Sequence, residues 1–375
     1  MNGFQFDIPT RIEFGTGICR DALLRTPELK GRRILLVSSG RSLRALGYLA
    51  ALEAALDALG SVTVYDRVSA NPRLSEVEEA VRLGKAERAE AVVGFGGGSS
   101  IDAAKVTAAA LCGGRSPEEL FFRNIPEGAP RLPLVAIPTT AGSGSEVSQS
   151  AILTNSATSE KRSIRGRSLF PDAAIVDPAF TAQIPYPVTA ETGFDVFAHA
   201  METLVSVKAN PLSETFSMRA LRLVIASLPV LRDDPHSREA RENMSFASLL
   251  MGLNLTLAGT LLPHRLQYPI GARKNNSHGA GLLALYPAWL EAEYRVPALR
   301  EKLDAVARLT GNGGGSVSAI VQFIEGLGVR QSLADMGFAP EDAEALTDAV
   351  RGALDNDRAY LGRESVLEIY RRSFR

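Results

Sequence analysis

The chain has 375 residues, of which 45% are hydrophobic and 22% are charged. This length exceeds what one ordinary hydrophobic core supports, so we expect two or three domains. The 41 basic and 42 acidic residues leave a formal net charge of −1, which argues against a nucleic-acid partner and against binding to a membrane surface.

Targeting and disulfide signals are absent from the sequence. No stretch approaches 18 consecutive apolar residues, and the N-terminal residues lack the layout of a signal peptide. Cys19 and Cys112 are far apart and form no Cys-x-x-Cys motif, which favours reduced thiols and excludes a zinc-ribbon site. These features predict a cytoplasmic protein that does not span a membrane.

In the first half of the chain, short β-branched runs alternate with helical patterns at 41–56, 75–87 and 100–112. The runs that predict buried strands are RILLVSS (33–39), SVTVYD (61–66), AVVGFGG (91–97), LPLVAIPTT (132–140) and AAIVD (173–177). Alternating strands and helices with apolar strands are typical of a mostly parallel sheet covered by helices.

The pattern changes at IPYPVT (184–189), where two prolines make a helix unlikely. Beyond it the sequence has helical periods, as in 216–231, and almost no strand candidates. We therefore expect an α/β domain over residues 1–185 and an all-α domain over residues 186–375. GNGGGS (311–316) is interpreted as a connection between helices.

Two loops rich in small residues follow consecutive predicted strands. GFGGGSSIDAAK (94–105) stands where a strand becomes a helix, so glycine backbone and a helix N-terminus could face phosphates. Ser99 replaces the third glycine of the dinucleotide fingerprint, and a plain tight turn is the alternative. PTTAGSGSEVS (138–148) follows the next strand. Loops at neighbouring strand ends of a parallel sheet form a ligand crevice, so together they predict a nucleotide site.

Asp195 and His199 stand four residues apart in the apolar run GFDVFAHAMETL, so they share one helix face. A hydrogen bond in the core would explain that pair alone. His264 and His278 lie further along the same half of the chain, whereas His236 belongs to a charged loop. One aspartate and three histidines form a four-ligand set that suits Fe²⁺ or Zn²⁺.

These motifs resemble the iron-containing (group III) alcohol dehydrogenases, which are related to glycerol dehydrogenase and dehydroquinate synthase. The resemblance covers nearly the whole chain and rests on the following segments in family order: IEFGTG, GGGSSIDAAK, PTTAGSGSEVS, LFPDAAIVDP, TGFDVFAHAMET and the two histidines His264 and His278. It implies an N-terminal dinucleotide-binding domain, a helical C-terminal domain, and a metal and substrate cleft between them.

The resemblance also implies roles for individual residues. The metal ligands would be Asp195, His199, His264 and His278. The cofactor-binding residues would be the pyrophosphate turn Gly97, Gly98 and Ser99 with Asp102 beside it, the second loop with Thr139, Thr140 and Ser145, and Asn71 and Lys161 at the adenosine and ribose end.

The sequence departs from the family pattern at Tyr268, four residues after His264, where many members have a second histidine. A phenol can donate or relay a proton but ordinarily titrates near pH 10, so Tyr268 is a candidate catalytic residue that also changes the pocket shape. Packing alone is the alternative. In the basic loop that follows, Arg273 and Lys274 have two interpretations: contact with an anionic substrate group, or solvation.

A second departure concerns the cofactor. Members that prefer NAD often have an acidic residue just after the first strand, where this chain has Ser39, Gly40 and Arg41. Losing the carboxylate and gaining an arginine favours a 2′-phosphate, so we expect NADP(H) to be preferred over NAD(H).

The predicted function is a metal-dependent NAD(P)H oxidoreductase that interconverts an aldehyde or ketone and an alcohol by hydride transfer. Fe²⁺ or Zn²⁺ would act as a Lewis acid on the substrate oxygen. The expected partner is a small aldehyde or alcohol, with an anionic substrate and a homodimer as further hypotheses. The alternatives are a lyase of the dehydroquinate-synthase kind and a protein that only binds nucleotide.

Overall fold

The computed structural model describes residues 3–313 and 315–375, and in it the chain forms two compact units. One unit is Asp7–Gln183 and the other is Ile184–Arg375 together with residues 3–6. The ring of Phe6 lies edge-on to that of Phe216, at 6.1 Å between centroids, which attaches these first residues to the helical unit. Gly314, in the predicted helix connection, lies outside the described residues.

The α/β unit contains eight strands and six α-helices. Its strands are β1 (Arg11–Phe14), β2 (Arg33–Ser38), β3 (Ser61–Tyr65), β4 (Ala91–Gly96), β5 (Leu134–Pro138), β6 (Ser150–Asn155), β7 (Glu160–Arg165) and β8 (Ala173–Val176). Its helices are α1 (Cys19–Leu24), α2 (Arg41–Ala45), α3 (Tyr48–Asp57), α4 (Leu74–Ala86), α5 (Gly98–Cys112) and α6 (Pro117–Phe122).

Six strands form one parallel sheet in the order β1-β8-β5-β4-β2-β3. Successive residues of β2 alternate between its two faces: Leu35 and Val37 belong to one apolar cluster, and Ile34 and Leu36 to the other. The sheet is therefore covered on both sides, as the nearly continuous apolar strands predict. The strand order places the carboxyl ends of β5, β4 and β2 side by side.

Two parts of this unit were not predicted from the sequence. The edge strand β1 has four residues, and the antiparallel hairpin of β6 and β7 is separate from the main sheet. The single helix expected over 41–56 is divided into α2 and α3, because Gly47 adopts a left-handed conformation at φ 73°.

The other unit is helical, and no strand occurs among its described residues. Its helices are α7 (Tyr186–Val205), α8 (Pro211–Asp233), α9 (Arg238–Asn254), α10 (Leu262–Lys274), α11 (His278–Tyr294), α12 (Arg300–Leu309), α13 (Ser316–Gly326), α14 (Asp342–Ala349) and α15 (Arg363–Arg372). Helix α7 packs against α8, α9 and α11, and α10 packs against α11. No helix in the described part of the chain has the length and apolar character needed to cross a bilayer.

The expectation that the prolines of IPYPVT prevent a helix is wrong. Helix α7 begins at Tyr186, with Pro185 at the capping position and Pro187 in the first turn. Amides of a first turn have no acceptor within the helix, so proline costs no hydrogen bond there. The same prolines that seemed to end regular structure therefore start the helix that presents Asp195 and His199.

Candidate active site

Three imidazole nitrogens converge on one carboxylate oxygen in the helical unit. The distances from Oδ1 of Asp195 are 3.7 Å to Nδ1 of His199, 3.2 Å to Nε2 of His264 and 3.6 Å to Nε2 of His278. All four predicted metal ligands thus come together, although they lie on three helices. His278 is the first residue of α11.

These distances fit a metal site better than a hydrogen-bonded core. At 3.6 and 3.7 Å, two of the three nitrogens are too far from Oδ1 for hydrogen bonds. Tetrahedral ligands with bonds of 2.0–2.1 Å are themselves about 3.3 Å apart, close to the 3.2–3.7 Å that separates Oδ1 of Asp195 from each histidine nitrogen. Among the described residues, Asp195, His199 and His264 have ligand atoms that all lie within 4.8 Å of one another, and His278 adds a nitrogen 3.6 Å from Oδ1. One carboxylate and three imidazoles are also a donor set that suits Fe²⁺ or Zn²⁺. The residues present therefore fit a divalent transition metal ion.

The electrostatics of the cluster follow from burial and the short distances. Burial alone would raise the pKa of Asp195, but the imidazoles of His199, His278 and His264 outweigh it and hold that pKa well below its ordinary value. Burial would lower the pKa of His264, but Glu202 and Asp195 outweigh this and raise it to about 9. The carboxylate of Asp195 is thus kept ionised, as metal binding requires.

A second layer of side chains orients two of the imidazoles. Nδ1 of His264 lies 2.7 Å from Oε1 of Glu202, whose other oxygen accepts from the amide of Leu261 at 2.6 Å. Nδ1 of His278 lies 2.5 Å from Oε1 of Gln267. In both cases the outer nitrogen is held by an oxygen acceptor, so the inner Nε2 faces Asp195.

Glu202 and Gln267 were missed in the sequence, although helical spacing carries a signal for both. Glu202 follows Asp195 by seven residues and His199 by three, so it shares their helix face. Gln267 follows His264 by three residues on α10. A search for polar residues at these spacings from predicted ligands would have found them.

Tyr268 lies one turn after His264 on α10 and is half-buried. Its hydroxyl accepts a hydrogen bond from Nη1 of Arg265 at 3.4 Å. Arg273 and Lys274 are exposed at the end of the same helix. Arg273 donates to the carbonyl of Ala345 at 3.0 Å, and Nζ of Lys274 lies 5.6 Å from the ring centroid of Phe338. The surroundings of these two residues support the solvated interpretation.

The two predicted cofactor loops meet in the α/β unit. Gly97 precedes α5, and a Cβ on Gly97 would lie 3.3 Å from Oγ1 of Thr140. A Cβ on Gly98 would lie 2.8 Å from Cβ of Ser143, which is shorter than the distances that Cβ atoms keep from other heavy atoms in proteins. The amide of Thr139 donates to the carbonyl of Gly96 at 2.9 Å. Glycine is therefore required at position 98 by the approach of the second loop.

Other predicted cofactor residues have protein partners that fix their positions. Ser145 donates to Oδ1 of Asp102 at 2.5 Å, and the amide of Ile152 donates to Oδ2 at 2.8 Å. Both oxygens of Asp102 thus accept hydrogen bonds from the protein, and through Ser145 this carboxylate holds the second loop in place. Burial raises its pKa, and Lys105, with Nζ 3.9 Å away, opposes that shift.

Lys105 is a fully buried cation that sequence reasoning did not single out as a functional residue. Its Nζ donates to the carbonyls of Ser148 and Ser150 at 2.9 and 2.8 Å. The residue is 0% exposed, and burial lowers its pKa to about 8. These bonds tie α5 to the end of the second loop.

Residues predicted for the adenosine end also come together. Nζ of Lys161 on β7 donates to Oδ1 of Asn71 at 2.9 Å, across 90 positions of sequence, and both are buried. Ser99 donates to the carbonyl of Ala70 at 2.6 Å, which joins the glycine turn to the same loop. The segments that carry Asn71, Ser99 and Lys161 are therefore held next to each other.

Ser39 and Arg41 flank Gly40 at the end of β2. Gly40 has φ 68°, and a Cβ there would collide with the carbonyl of Asp66. The carboxylate of Asp66 is paired with Arg44. An acidic group therefore does lie at this turn, contributed by the segment after β3, but an arginine neutralises it.

Family models match both units. The model for iron-containing alcohol dehydrogenase matches residues 9–178, and that for the C-terminal region of the same family matches residues 189–374. The chain belongs to the iron-containing alcohol dehydrogenase family. Its reaction class is accordingly the interconversion of an alcohol and a carbonyl compound, and a lyase of the dehydroquinate-synthase kind is not favoured.

Three similar proteins illustrate the range of the family. The long-chain primary alcohol dehydrogenase AdhA of Thermoanaerobacter ethanolicus is 31% identical, covering 99% of this chain and 97% of its own. An archaeal alcohol dehydrogenase, ADH/D1, from a Red Sea brine pool is 26% identical with a TM-score of 0.92 and 99% coverage of both chains. Sulfoacetaldehyde reductase of Bifidobacterium kashiwanohense, solved with NAD⁺, is 28% identical with a TM-score of 0.84, covering 99% of this chain and 98% of its own.

Proposed function

We propose that this iron-type alcohol dehydrogenase acts as an NADPH-dependent reductase of a small aldehyde, with Fe²⁺ or Zn²⁺ held by Asp195, His199, His264 and His278. The observation that carries the proposal is the convergence of three imidazole nitrogens within 3.7 Å of one buried carboxylate oxygen. When bound, the metal ion would supply a Lewis acid for the carbonyl oxygen and the dinucleotide would supply the hydride.

The chain's own residues prepare the site for this chemistry. Glu202 and Gln267 hold the imidazoles of His264 and His278 with their inner nitrogens directed at Asp195. His278 is the most exposed ligand, with 29% of its side-chain surface accessible compared with 4% for His264. Substrate would therefore approach on the side of His278.

Tyr268 is proposed as the residue that passes the proton and limits the size of the aldehyde. It follows His264 by one helical turn, so its side chain projects from the same face of α10. Its hydroxyl accepts a hydrogen bond from the guanidinium of Arg265, and a phenol can both accept and donate.

The glycine turn and the second loop are proposed to bind the dinucleotide. Gly97, Gly98 and Ser99 begin α5, where backbone amides face an approaching phosphate. Asp102 and Lys105 support the loop that carries Thr139, Thr140 and Ser145, and the joined pair of Asn71 and Lys161 would lie at the ribose.

The proposed preference for NADPH rests on the turn after β2. Ser39 offers no carboxylate to repel a 2′-phosphate, Arg41 adds an exposed cation, and Asp66 is neutralised by Arg44. The Bifidobacterium reductase was solved with NAD⁺, so both dinucleotides have to be compared directly. A homodimer and a cytoplasmic location remain predictions.

The test is an assay of reduction with purified enzyme reconstituted with Fe²⁺ or Zn²⁺. Consumption of NADPH in a one-to-one ratio with an aldehyde, and its loss after chelation, is the expected result. Carbonyl turnover without net NADPH consumption would indicate lyase chemistry and overturn the proposal. Binding of NADPH without turnover of any aldehyde would indicate a protein that only binds nucleotide.

A further inference from the structure

Arg265 is a buried cation to which the proposed function assigns no contact with the substrate. It follows His264 directly on α10, and only 8% of its surface is exposed. Its one side-chain hydrogen bond among the described residues is the 3.4 Å contact from Nη1 to the hydroxyl of Tyr268. Its Nε is buried and has no hydrogen-bond partner in that part of the chain.

The surroundings of Arg265 do not supply a counter-charge. Cζ lies 5.7 Å from the ring centroid of Tyr268, and a Cβ on Gly352 would lie 3.4 Å from Nε, so a glycine backbone approaches the guanidinium. None of the ion pairs between described residues includes Arg265. The face of a tyrosine ring compensates a cation only in part.

The buried carboxylate of the adjacent segment is committed elsewhere. Oδ2 of Asp357 accepts from the amide of Leu262 at 3.0 Å and from Nε1 of Trp289 at 2.9 Å. Its Oδ1 accepts from the amide of Ala359 at 2.9 Å. Asp357 therefore fixes the start of α10 and does not pair with Arg265.

A guanidinium remains charged at every physiological pH, and a buried charge without a partner is unfavourable. Arginine offers a planar fork of donors that suits the oxygens of a carboxylate, sulfonate or phosphonate. An anion from outside the chain would complete the hydrogen bonds of such an arginine.

We propose that Arg265 binds the anionic substituent of the aldehyde substrate, so that the enzyme selects short aldehydes with a carboxylate, sulfonate or phosphonate group. This inference rests on the proposed reductase function and adds the substrate class. The guanidinium reaches the hydroxyl of Tyr268, one helical turn after His264. A turn rises about 5.4 Å, so roughly two to three carbons would separate the anionic group from the reacting oxygen.

The location of Arg265 differs from that of Arg273 and Lys274, for which an anionic substrate was one hypothesis. Those two residues are exposed at the far end of α10, where the Arg273 guanidinium donates to a backbone carbonyl. An ion pair formed by a solvent-exposed charge contributes little free energy of binding, whereas pairing a buried charge with an anion contributes more. The anionic substrate is therefore assigned to Arg265.

The experiment compares aldehydes of equal size that differ in charge, using the metal-reconstituted enzyme and NADPH. Succinate semialdehyde is paired with 4-methylpentanal, and sulfoacetaldehyde and phosphonoacetaldehyde are each paired with 3,3-dimethylbutanal. We expect kcat/KM to be at least about tenfold higher for one anionic aldehyde than for its neutral partner. The three anionic arms identify which oxyanion is preferred.

The variants Arg265→Gln and Arg265→Lys then test the residue. Arg265→Gln should lower the anionic-to-neutral ratio of kcat/KM by about 30-fold, and Arg265→Lys should retain part of it, because lysine keeps the charge but not the fork. Arg308→Gln, an exposed arginine on α12, is the matched control and should leave the ratio unchanged. Inhibition by sodium sulfate at constant ionic strength should weaken in Arg265→Gln in parallel.

The possible outcomes separate this inference from the function on which it rests. An unchanged ratio in Arg265→Gln, with aldehyde reduction continuing, overturns the anion site and leaves the reductase intact. If the wild-type enzyme reduces neither charged nor neutral aldehydes, the proposed function itself fails. If circular dichroism shows that Arg265→Gln does not fold, the proposal is tested by the anionic-to-neutral ratio of kcat/KM in the wild-type enzyme and in Arg265→Lys. A wild-type ratio near one, or an unchanged ratio in Arg265→Lys, rejects the proposal.

Discussion

The carboxylate of Glu202 lies 2.7 Å from Nδ1 of His264, and this contact decides which imidazole nitrogen faces Asp195. Glu202 is 0% exposed and receives a second hydrogen bond from the amide of Leu261, so its own position is fixed. A ligand imidazole oriented by a buried carboxylate binds a metal ion more tightly, because the carboxylate raises its basicity and fixes its tautomer.

Replacing Glu202 should therefore weaken metal binding without removing a ligand. We expect Glu202→Gln to raise the dissociation constant for Zn²⁺ by about 10- to 100-fold, measured by competition with a chromogenic chelator. Glu325→Gln, an exposed glutamate on α13, is the matched control. An unchanged dissociation constant in Glu202→Gln would show that the contact is only structural.

A second prediction concerns the close approach of the two loops in the α/β unit. Gly98→Ala places a methyl group against Ser143 and should raise the dissociation constant for NADPH by at least about tenfold, since the turn has to shift. The double variant Gly98→Ala/Ser143→Gly removes the collision and should recover part of the affinity. Gly326→Ala, where a Cβ meets nothing within 4 Å, is the control.

The metal content of Gly98→Ala should equal that of the wild-type protein, since position 98 belongs to the other unit. NADPH affinity can be followed by quenching of the fluorescence of Trp289 or of the nicotinamide. If Gly98→Ala binds NADPH as the wild-type protein does, the glycine turn does not contact the dinucleotide.

The turn after β2 makes a third prediction, about the choice of dinucleotide. The wild-type enzyme should have a higher kcat/KM with NADPH than with NADH. Ser39→Asp should shift the ratio towards NADH by about tenfold or more, because a carboxylate there repels a 2′-phosphate. Ser61→Asp introduces the same charge at the amino end of β3 and should leave the ratio unchanged. A wild-type preference for NADH would contradict the interpretation of Ser39 and Arg41.

Glu293 provides a prediction about pH and stability. Burial, together with the neighbouring carboxylate of Asp357, raises the pKa of Glu293 to about 10. A glutamate in an unfolded chain titrates near pH 4.3, so over the interval between these values the folded protein holds a proton that the unfolded chain has lost. The contribution of Glu293 to the free energy of unfolding therefore falls as the pH rises, by up to about 1.4 kcal/mol per pH unit.

Glu293→Gln keeps the shape of the neutral acid and removes the proton, so its unfolding free energy should fall less steeply between about pH 6 and pH 9. Urea denaturation at constant metal concentration measures both slopes, with Glu325→Gln as the control. The free energy of unfolding of the variant should therefore increase relative to that of the wild-type protein as the pH rises. Identical slopes would mean that Glu293 is ionised in the folded state.

Much of this architecture could be predicted from the sequence because its signals are local. The five predicted strands of the parallel sheet are observed within one or two residues, since their apolar character reports burial on both faces. The cluster of Asp195, His199, His264 and His278 was also predicted, as a set of candidate metal ligands. Its geometry could not be, because the approach of α10 and α11 to α7 depends on packing over many positions.

The features that were predicted wrongly or not at all have separate physical causes. Pro185 and Pro187 were interpreted as preventing a helix, although proline is favoured at the first turn. Edge strand β1 is short and partly exposed, so its pattern is weak. Arg265 could not be recognised, since nothing in a sequence distinguishes a buried arginine without a carboxylate from a solvated one.

The proposed mechanism requires that Asp195, His199, His264 and His278 hold a metal ion and that reduction depends on it. The most direct measurement is the metal content and NADPH-dependent aldehyde reduction of the wild-type protein and of His264→Ala, purified in parallel, with folding checked by circular dichroism. We expect about one Fe or Zn per wild-type chain, and a folded His264→Ala that loses both the metal and the activity. Full activity in metal-stripped wild-type protein, or retained metal and activity in His264→Ala, would contradict it.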